Sequence, residues 1–259
     1  MEAITVNNLV THYGERKILN GVSMSVHEGE IMIVMGGSGS GKSTILRHML
    51  ALETPTSGQI TLLGQEITNC NYYQLQELRR RMGVAFQGGA LFGSLTVGEN
   101  VMLPLREHTK LDEQTMKIMC RMKLEVVNLS GFENLMPSEL SGGMIKRVAL
   151  ARAIVMDPKL LFFDEPSAGL DPVAAVELDN LILQLRTAMN MTLVVVTHEL
   201  ESAYKIADRI TVLDHGDILI SDTVEIVKNS DNQRIQDLLH RRAREENTDH
   251  EEYLHRLTH

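Results

Sequence analysis

One stretch, residues 31–50, limits the fold of this chain more than any other. Ile31 to Met35 is an unbroken apolar run, the composition of a parallel strand covered on both faces. It is followed by Gly36-Gly37-Ser38-Gly39-Ser40-Gly41-Lys42-Ser43, which fits G-x-x-x-x-G-K-[ST]. Thr44 to Leu52 then predicts a helix, with apolar residues at Ile45, Leu46, Met49, Leu50 and Leu52. Strand, glycine loop and helix in that order is the context in which such a loop binds phosphate. Glycines let the backbone wrap closely, so that successive N–H groups point inward at clustered negative oxygens. The positive end of the following helix adds to that field. Lys42 can reach β- and γ-phosphates, and the Ser43 hydroxyl can ligate Mg²⁺. The plainer reading is a chance glycine-rich turn, and the flanking strand and helix weigh against it.

The remaining bounds are brief. At 259 residues and 43% hydrophobic, the chain can bury one large domain, or a core with a subdomain. A net charge of −9 argues against unaided binding to nucleic-acid phosphates and leaves a membrane-protein partner open. Cys70 and Cys120 fit neither a disulfide framework nor a metal site, and read as plain thiols in a reducing compartment. The first residues lack the features of a signal peptide, and no apolar run approaches the ~20 residues needed to cross a bilayer. The expected location is cytoplasmic, at most held at a membrane by another protein.

Along the chain, Ala3 to Val10, Val22 to Val26 and Gln59 to Leu63 predict strands. Tyr72 to Arg81 predicts a helix whose closing arginines suit its negative end. Met82 to Phe86 predicts a strand ending at Gln87. Val97 to Leu129 predicts mostly helix with a break near Pro104. Gly142 to Val155 and Pro172 to Met189 predict helices, the second N-capped by Asp171. Leu160 to Phe163 and Thr192 to Val196 predict buried strands, and Arg209 to Leu213 with Asp217 to Ile220 a hairpin. Strands alternating with helices indicate a parallel α/β sheet, and no internal repeat is present. Near the end, Ile235, Leu238 and Leu239 make a short apolar stripe; Arg241 to Glu252 is nearly all polar; Tyr253, Leu254 and Leu257 form a last apolar group. That segment reads either as a frayed tail or as a helix that docks on a neighbouring subunit.

Two further motifs carry chemistry. Leu160-Leu161-Phe162-Phe163-Asp164-Glu165 ends a buried strand with two acids, where parallel sheets bind ligands. Asp164 can hold Mg²⁺ through its waters, and Glu165 can orient and deprotonate an attacking water. Leu140-Ser141-Gly142-Gly143-Met144 precedes a helix bearing Lys146, Arg147 and Arg152, and forms a second anion site. One chain does not need two γ-phosphate cradles, so the second serves a nucleotide held by another copy.

With these residues in view, the chain resembles the ATP-binding subunits of ABC transporters over nearly all of residues 3 to 225. The resemblance implies a P-loop NTPase of ABC type, with a mainly parallel RecA-like sheet, an N-terminal antiparallel sheet and a helical subdomain. It places one ATPase domain at 3–230, the helical subdomain at about 88–155, and a helical tail at 231–259. In this family the Walker A motif corresponds to Gly36, Gly37, Ser38, Gly39, Ser40, Gly41, Lys42, Ser43 and Thr44, which bind ATP. Gln87 matches the glutamine that touches Mg²⁺ and the attacking water. Ser141, Gly142 and Gly143 match the signature motif, Asp164 and Glu165 the Walker B pair, and Ser167 to Asp171 the D-loop. His198, in Thr197-His198-Glu199, matches the switch histidine at the γ-phosphate, and Tyr13 the aromatic that stacks on adenine. Taken singly, Tyr13 reads as a surface ring, Gln87 as a loop amide and His198 as a structural histidine; their order and spacing give the family reading.

One position departs from the pattern. Met144 stands where the signature usually ends in Gln, and a thioether cannot replace the amide's hydrogen bonds. The same Leu-Ser-Gly-Gly-Met form, with Gln87 to Phe92, Pro104 to Thr109 and Met136 to Glu139, resembles the Mla-type phospholipid transport branch. That resemblance implies ATP hydrolysis with ATP and Mg²⁺ between two copies, driving phospholipid between inner and outer membranes. It also implies a membrane permease gripped near Gln87 to Leu95, a periplasmic Mce-type lipid-binding subunit, and a place on the cytoplasmic side of the inner membrane. An importer ATPase for a polar solute, an ABC-type nucleic-acid machine and a non-catalytic nucleotide sensor are the alternatives. The −9 charge and single cassette count against the nucleic-acid reading, and Glu165 and His198 against the sensor.

Overall fold

The computed structural model describes residues 1–240. β1 (Glu2–Tyr13) and β2 (Arg16–His27) pair antiparallel, with Tyr13 opposite Arg16 at the closing turn. Both are longer than the apolar runs predict, because several register shifts break the strict alternation of buried and exposed residues. β3 (Ile31–Gly36) leads into α1 (Lys42–Met49), which begins at Lys42 rather than Thr44. β4 (Ser57–Leu62) and the short β5 (Gln65–Glu66) follow, then α2 (Tyr72–Arg79) and β6 (Met82–Ala85). α3 (Val97–His108), α4 (Glu113–Val126) and α5 (Gly142–Ile154) are inserted before β7 (Leu160–Asp164). The chain continues through α6 (Pro172–Met189), β8 (Thr192–Val196), α7 (Leu200–Ile206), β9 (Arg209–Asp214) and β10 (Asp217–Thr223). α8 (Val224–Lys228) and α9 (Gln233–Leu239) complete the described residues.

The strands form two sheets, a four-stranded one in the order β2-β1-β4-β5 and a six-stranded one in the order β10-β9-β3-β8-β7-β6. The first is antiparallel; the second is parallel except for β10. β3 is apolar throughout because both of its faces are covered. Ile31, Ile33 and Met35 point into a core shared with α5, α6 and α7, while Met32 and Val34 join α1 and the small sheet. Burying such a strand on two sides commits the glycine loop that follows it to the sheet edge.

Two expectations are corrected. Pro104 does not break the helix: α3 runs through it to His108. The break falls at Thr109, whose amide and hydroxyl both donate to the Leu105 carbonyl while its backbone turns extended, and Asp112 then caps α4. The stripe of Ile235, Leu238 and Leu239 packs on its own chain, with Ile235 and Leu239 buried in the core. The polar run and last apolar group, residues 241–259, lie outside the described residues. Cys70 is half-buried and Cys120 buried; both are free thiols, and burial pushes Cys120 up to about 11.

Candidate functional site

Parallel strands finish at the same edge, so strand order sets loop order. The phosphate loop follows β3, His198 follows β8, Asp164 ends β7 with Glu165 just after it, and Gln87 follows β6; these four strands are neighbours in that sequence. The motifs are far apart in the chain and adjacent in space for that reason.

The loop itself is a tight cradle. Gly36 and Gly41 have φ of 154° and 108°. A methyl on Gly36 would lie 2.2 Å from the Leu213 carbonyl oxygen and 2.6 Å from Ser40 Oγ; one on Gly41 would lie 2.7 Å from Leu19 Cδ2. Ser40 Oγ is buried and has no hydrogen-bond partner among the described residues. No side chain caps the first turn of α1. An orphaned hydroxyl, free helix amides and a space that a Cβ would fill all fit a ligand rich in oxygen. Lys42 Nζ folds back to donate to the carbonyls of Gly36 (2.8 Å) and Gly37 (2.9 Å). Burial lowers its pKa, opposed by the charges of Glu165 and Asp164. Asp164 is pushed the other way, raised first by burial and then by Glu165.

Glu165 sits in the left-handed region, φ 50°, which is costly for a residue with a Cβ and characteristic of functional positions. Its N–H donates to the Val196 carbonyl at 2.8 Å, which fixes the turn. Its carboxylate receives the His198 backbone N–H at 3.4 Å and lies 2.8 Å from the same residue's Nδ1. The Glu165 side chain is 12% exposed and that of His198 is 51%, so the acid is enclosed and its partner faces outward. This arrangement can hold and deprotonate a water while the imidazole meets an anion.

Two cavities meet at the loop. One, of about 670 Å³, is lined by Gly36, Gly37, Ser38, Lys42, Glu165 and His198, with Leu238 and Leu239 of α9. The other, of about 210 Å³, runs from Gly39 through Thr44 to Ile18, Arg16 and Tyr13. The Tyr13 hydroxyl donates to the Glu53 carboxylate, which also pairs with Arg47 at 3.2 Å. Gln87, Asp164, Asp171 and the signature residues Ser141, Gly142 and Gly143 line neither cavity. Asp171 caps α6 through the amides of Val173 and Ala174, and the Ser141 hydroxyl caps α5 through the Met144 amide. Met144 points inward and lines a separate cavity of about 660 Å³ with Phe132 and Arg147.

Two residues have contacts that the sequence does not announce. Lys146 donates to the carbonyls of Pro166 and Ala168, both at 2.6 Å, tying α5 to the turn after Glu165. Arg152 donates to those of Gly89 and Ala90, both at 2.8 Å, tying α5 to the turn after Gln87. Both cations stand out in sequence, but their acceptors are backbone carbonyls, which have no residue signature.

Known proteins resemble this chain in sequence and fold. The sequence pattern described as "ABC transporter" matches residues 19–168. The intermembrane phospholipid transport system ATP-binding protein MlaF of Haemophilus influenzae is 41% identical over 90% of this chain and 88% of its own. A probable ribonucleotide transport ATP-binding protein, mkl of Mycobacterium bovis, is 37% identical over 93% of this chain and 67% of its own. The dimeric cassette MJ0796 superposes with a TM-score of 0.79 at 31% identity, over 85% of this chain and 98% of its own. Its post-hydrolysis dimer with ADP and Pi superposes at 0.77 and 30%, over the same shares.

Proposed function

Because the chain belongs to the ABC transporter family of ATP-binding, ATP-hydrolysing cassettes, we propose that it powers phospholipid movement between inner and outer membranes through a permease partner. The observation that carries the catalytic part is the enclosure of Lys42, Glu165 and His198 in one cavity at the phosphate loop. The similarity to MlaF along most of both chains supports the phospholipid part.

In this reading two copies hold two ATP molecules. Tyr13 stacks on adenine at the end of the smaller cavity; Gly36 to Thr44 wrap the phosphates, with Lys42 on the β- and γ-phosphates. Ser43 and Asp164, with Gln87, would hold Mg²⁺, which when bound would neutralise phosphate charge. Glu165 takes the proton of the attacking water, held in place by His198, which also meets the γ-phosphate. Ser141, Gly142 and Gly143 of the second copy close on the same phosphate, and Asp171 lies on the contact between copies. Contacts made only with ATP couple nucleotide state to dimer state. The turn after Gln87, where Phe92 is exposed, grips a cytoplasmic helix of the permease. No helix among the described residues is long and apolar enough to cross a membrane. In this reading membrane attachment at the cytoplasmic face runs through the permease, with a periplasmic Mce-type subunit beyond it.

The mkl relative favours a second reading, transport of a polar solute such as a ribonucleotide. Purification with the membrane partners, followed by mass spectrometry and an ATPase assay, separates the two. Bound phospholipid and turnover stimulated by phospholipid are expected; stimulation by ribonucleotide without bound lipid would replace the first reading with the second.

A further inference from the structure

We infer that helix α9 is a wall of the nucleotide site, and that Arg234 and Leu238 are positioning residues for the limb of the phosphate loop that meets the terminal phosphate. The inference rests on the reading of residues 36–43 as the ATP cradle.

The wall is observed directly. Leu238 and Leu239 line the cavity that holds Ser38, Lys42, Glu165 and His198. A methyl at Gly37 would sit 3.5 Å from Leu238 Cδ2, which is ordinary van der Waals contact. The leucine therefore stands beside Gly37, with room between them for no more than a methyl group. Apolar side chains at this place limit water in the cavity and restrict where Gly37 and Ser38 can go.

The helix is also locked. Arg234 forms a fork on Asp214, with Nε 2.7 Å from Oδ2 and Nη2 2.9 Å from Oδ1. Asp214 is only 9% exposed, and a bidentate guanidinium–carboxylate pair fixes orientation as well as distance. Ile235 and Leu239 are buried in the core and hold the helix there.

The anchor of that lock is the same hairpin that holds the loop. Asp214 ends β9, in which the preceding Leu213 is the β-partner of Gly36. Two residues after Asp214, the Gly216 N–H donates to the Ser40 carbonyl at 3.0 Å. Both ends of the glycine loop are thus tied to the β9–β10 hairpin, and Arg234 ties α9 to that hairpin. Displacing α9 would leave Gly36 and Ser40 held by the hairpin and remove the Leu238 wall beside Gly37 and Ser38, in the cavity that also holds Glu165 and His198. The loss should fall on a nucleotide with a third phosphate and spare one without it.

The test measures ATP and ADP affinity by calorimetry with Mg²⁺, on the full chain carrying Glu165→Gln to stop turnover. Leu238→Ala and Arg234→Gln are expected to weaken ATP about fivefold or more, with ADP within about twofold of the parent. Leu238→Met, which keeps the volume, is expected to retain the parent's ATP-to-ADP ratio. Equal weakening of ATP and ADP would show general loosening and overturn the inference, as would unchanged affinity for both. A parent that binds neither nucleotide would overturn the reading of the cradle itself, which distinguishes the two failures.

Discussion

Asp164 is ionised at a cost. Burial and the neighbouring Glu165 both favour its neutral form, so its carboxyl binds a proton more tightly folded than unfolded. Folding is therefore opposed increasingly as pH rises from the ordinary carboxylate value of about 4 through the raised folded value. The penalty is complete above that value. Asp164→Asn removes it. The thermal midpoint of the nucleotide-free variant at pH 7.5 is expected to exceed the parent's, and the gain to shrink as pH falls toward about 4. Equal midpoints at both pH values would mean that Asp164 carries no such strain. The same position is expected to lose Mg²⁺-dependent hydrolysis, which is the usual exchange of stability against activity at a site. Much of this site was legible at the residue scale, because glycine spacing, adjacent acids and a strand-end histidine each have a local pattern. Arg234 and Asp214 were not: the partners stand 20 residues apart. Neither residue type is unusual for its own segment.

Among the elements, α3 shows what sequence reading can and cannot weigh. A proline in a helical run predicts a break, yet the chain stops its helix later, at Thr109, where side chain and backbone take the same carbonyl. β5 and α7 were unreadable for another reason, since two and seven residues are too few to show a period. What α3 offers instead is Asn100, which is fully buried. Its Oδ1 accepts from the Phe92 amide at 2.8 Å, and its Nδ2 donates to the carbonyls of Phe92, Leu95 and Thr96 at 3.0–3.1 Å. One amide side chain thus substitutes for regular structure in the turn proposed to grip the permease. Asn100→Ala takes the partner from the Phe92 amide and the Leu95 carbonyl, while the carbonyls of Phe92 and Thr96 keep the Leu95 and Asn100 amides, and is expected to cost about 2–4 kcal/mol in denaturant unfolding. Hydrogen exchange over residues 88–96 should rise with it. Unchanged stability with the turn still protected would show that Phe92 to Thr96 are held by something other than Asn100.

For the whole molecule, the arrangement of parts implies a reaction centre divided between copies. Ser141 and Gly142 are exposed at the start of α5, and none of the three signature residues lines either cavity at the phosphate loop. In the proposed dimer Lys42 and Ser141 of one chain serve different nucleotides, and the dimeric state of MJ0796, which this chain resembles in fold, supports that reading. Division has a consequence that a self-contained site does not. Lys42→Ala spoils the cradle a chain offers, Ser141→Arg spoils the contact it gives its partner, and each homodimer is then inactive at both sites. In a mixed dimer the two lesions fall on the same site, and the other is intact. Random pairing at equal amounts makes half of the dimers mixed, so turnover of about a quarter of the parent's is expected on mixing, if sites fire independently. ATPase activity that stays at the level of the separate variants, although ATP-dependent mixed dimers form, would place the signature residues outside the reaction centre.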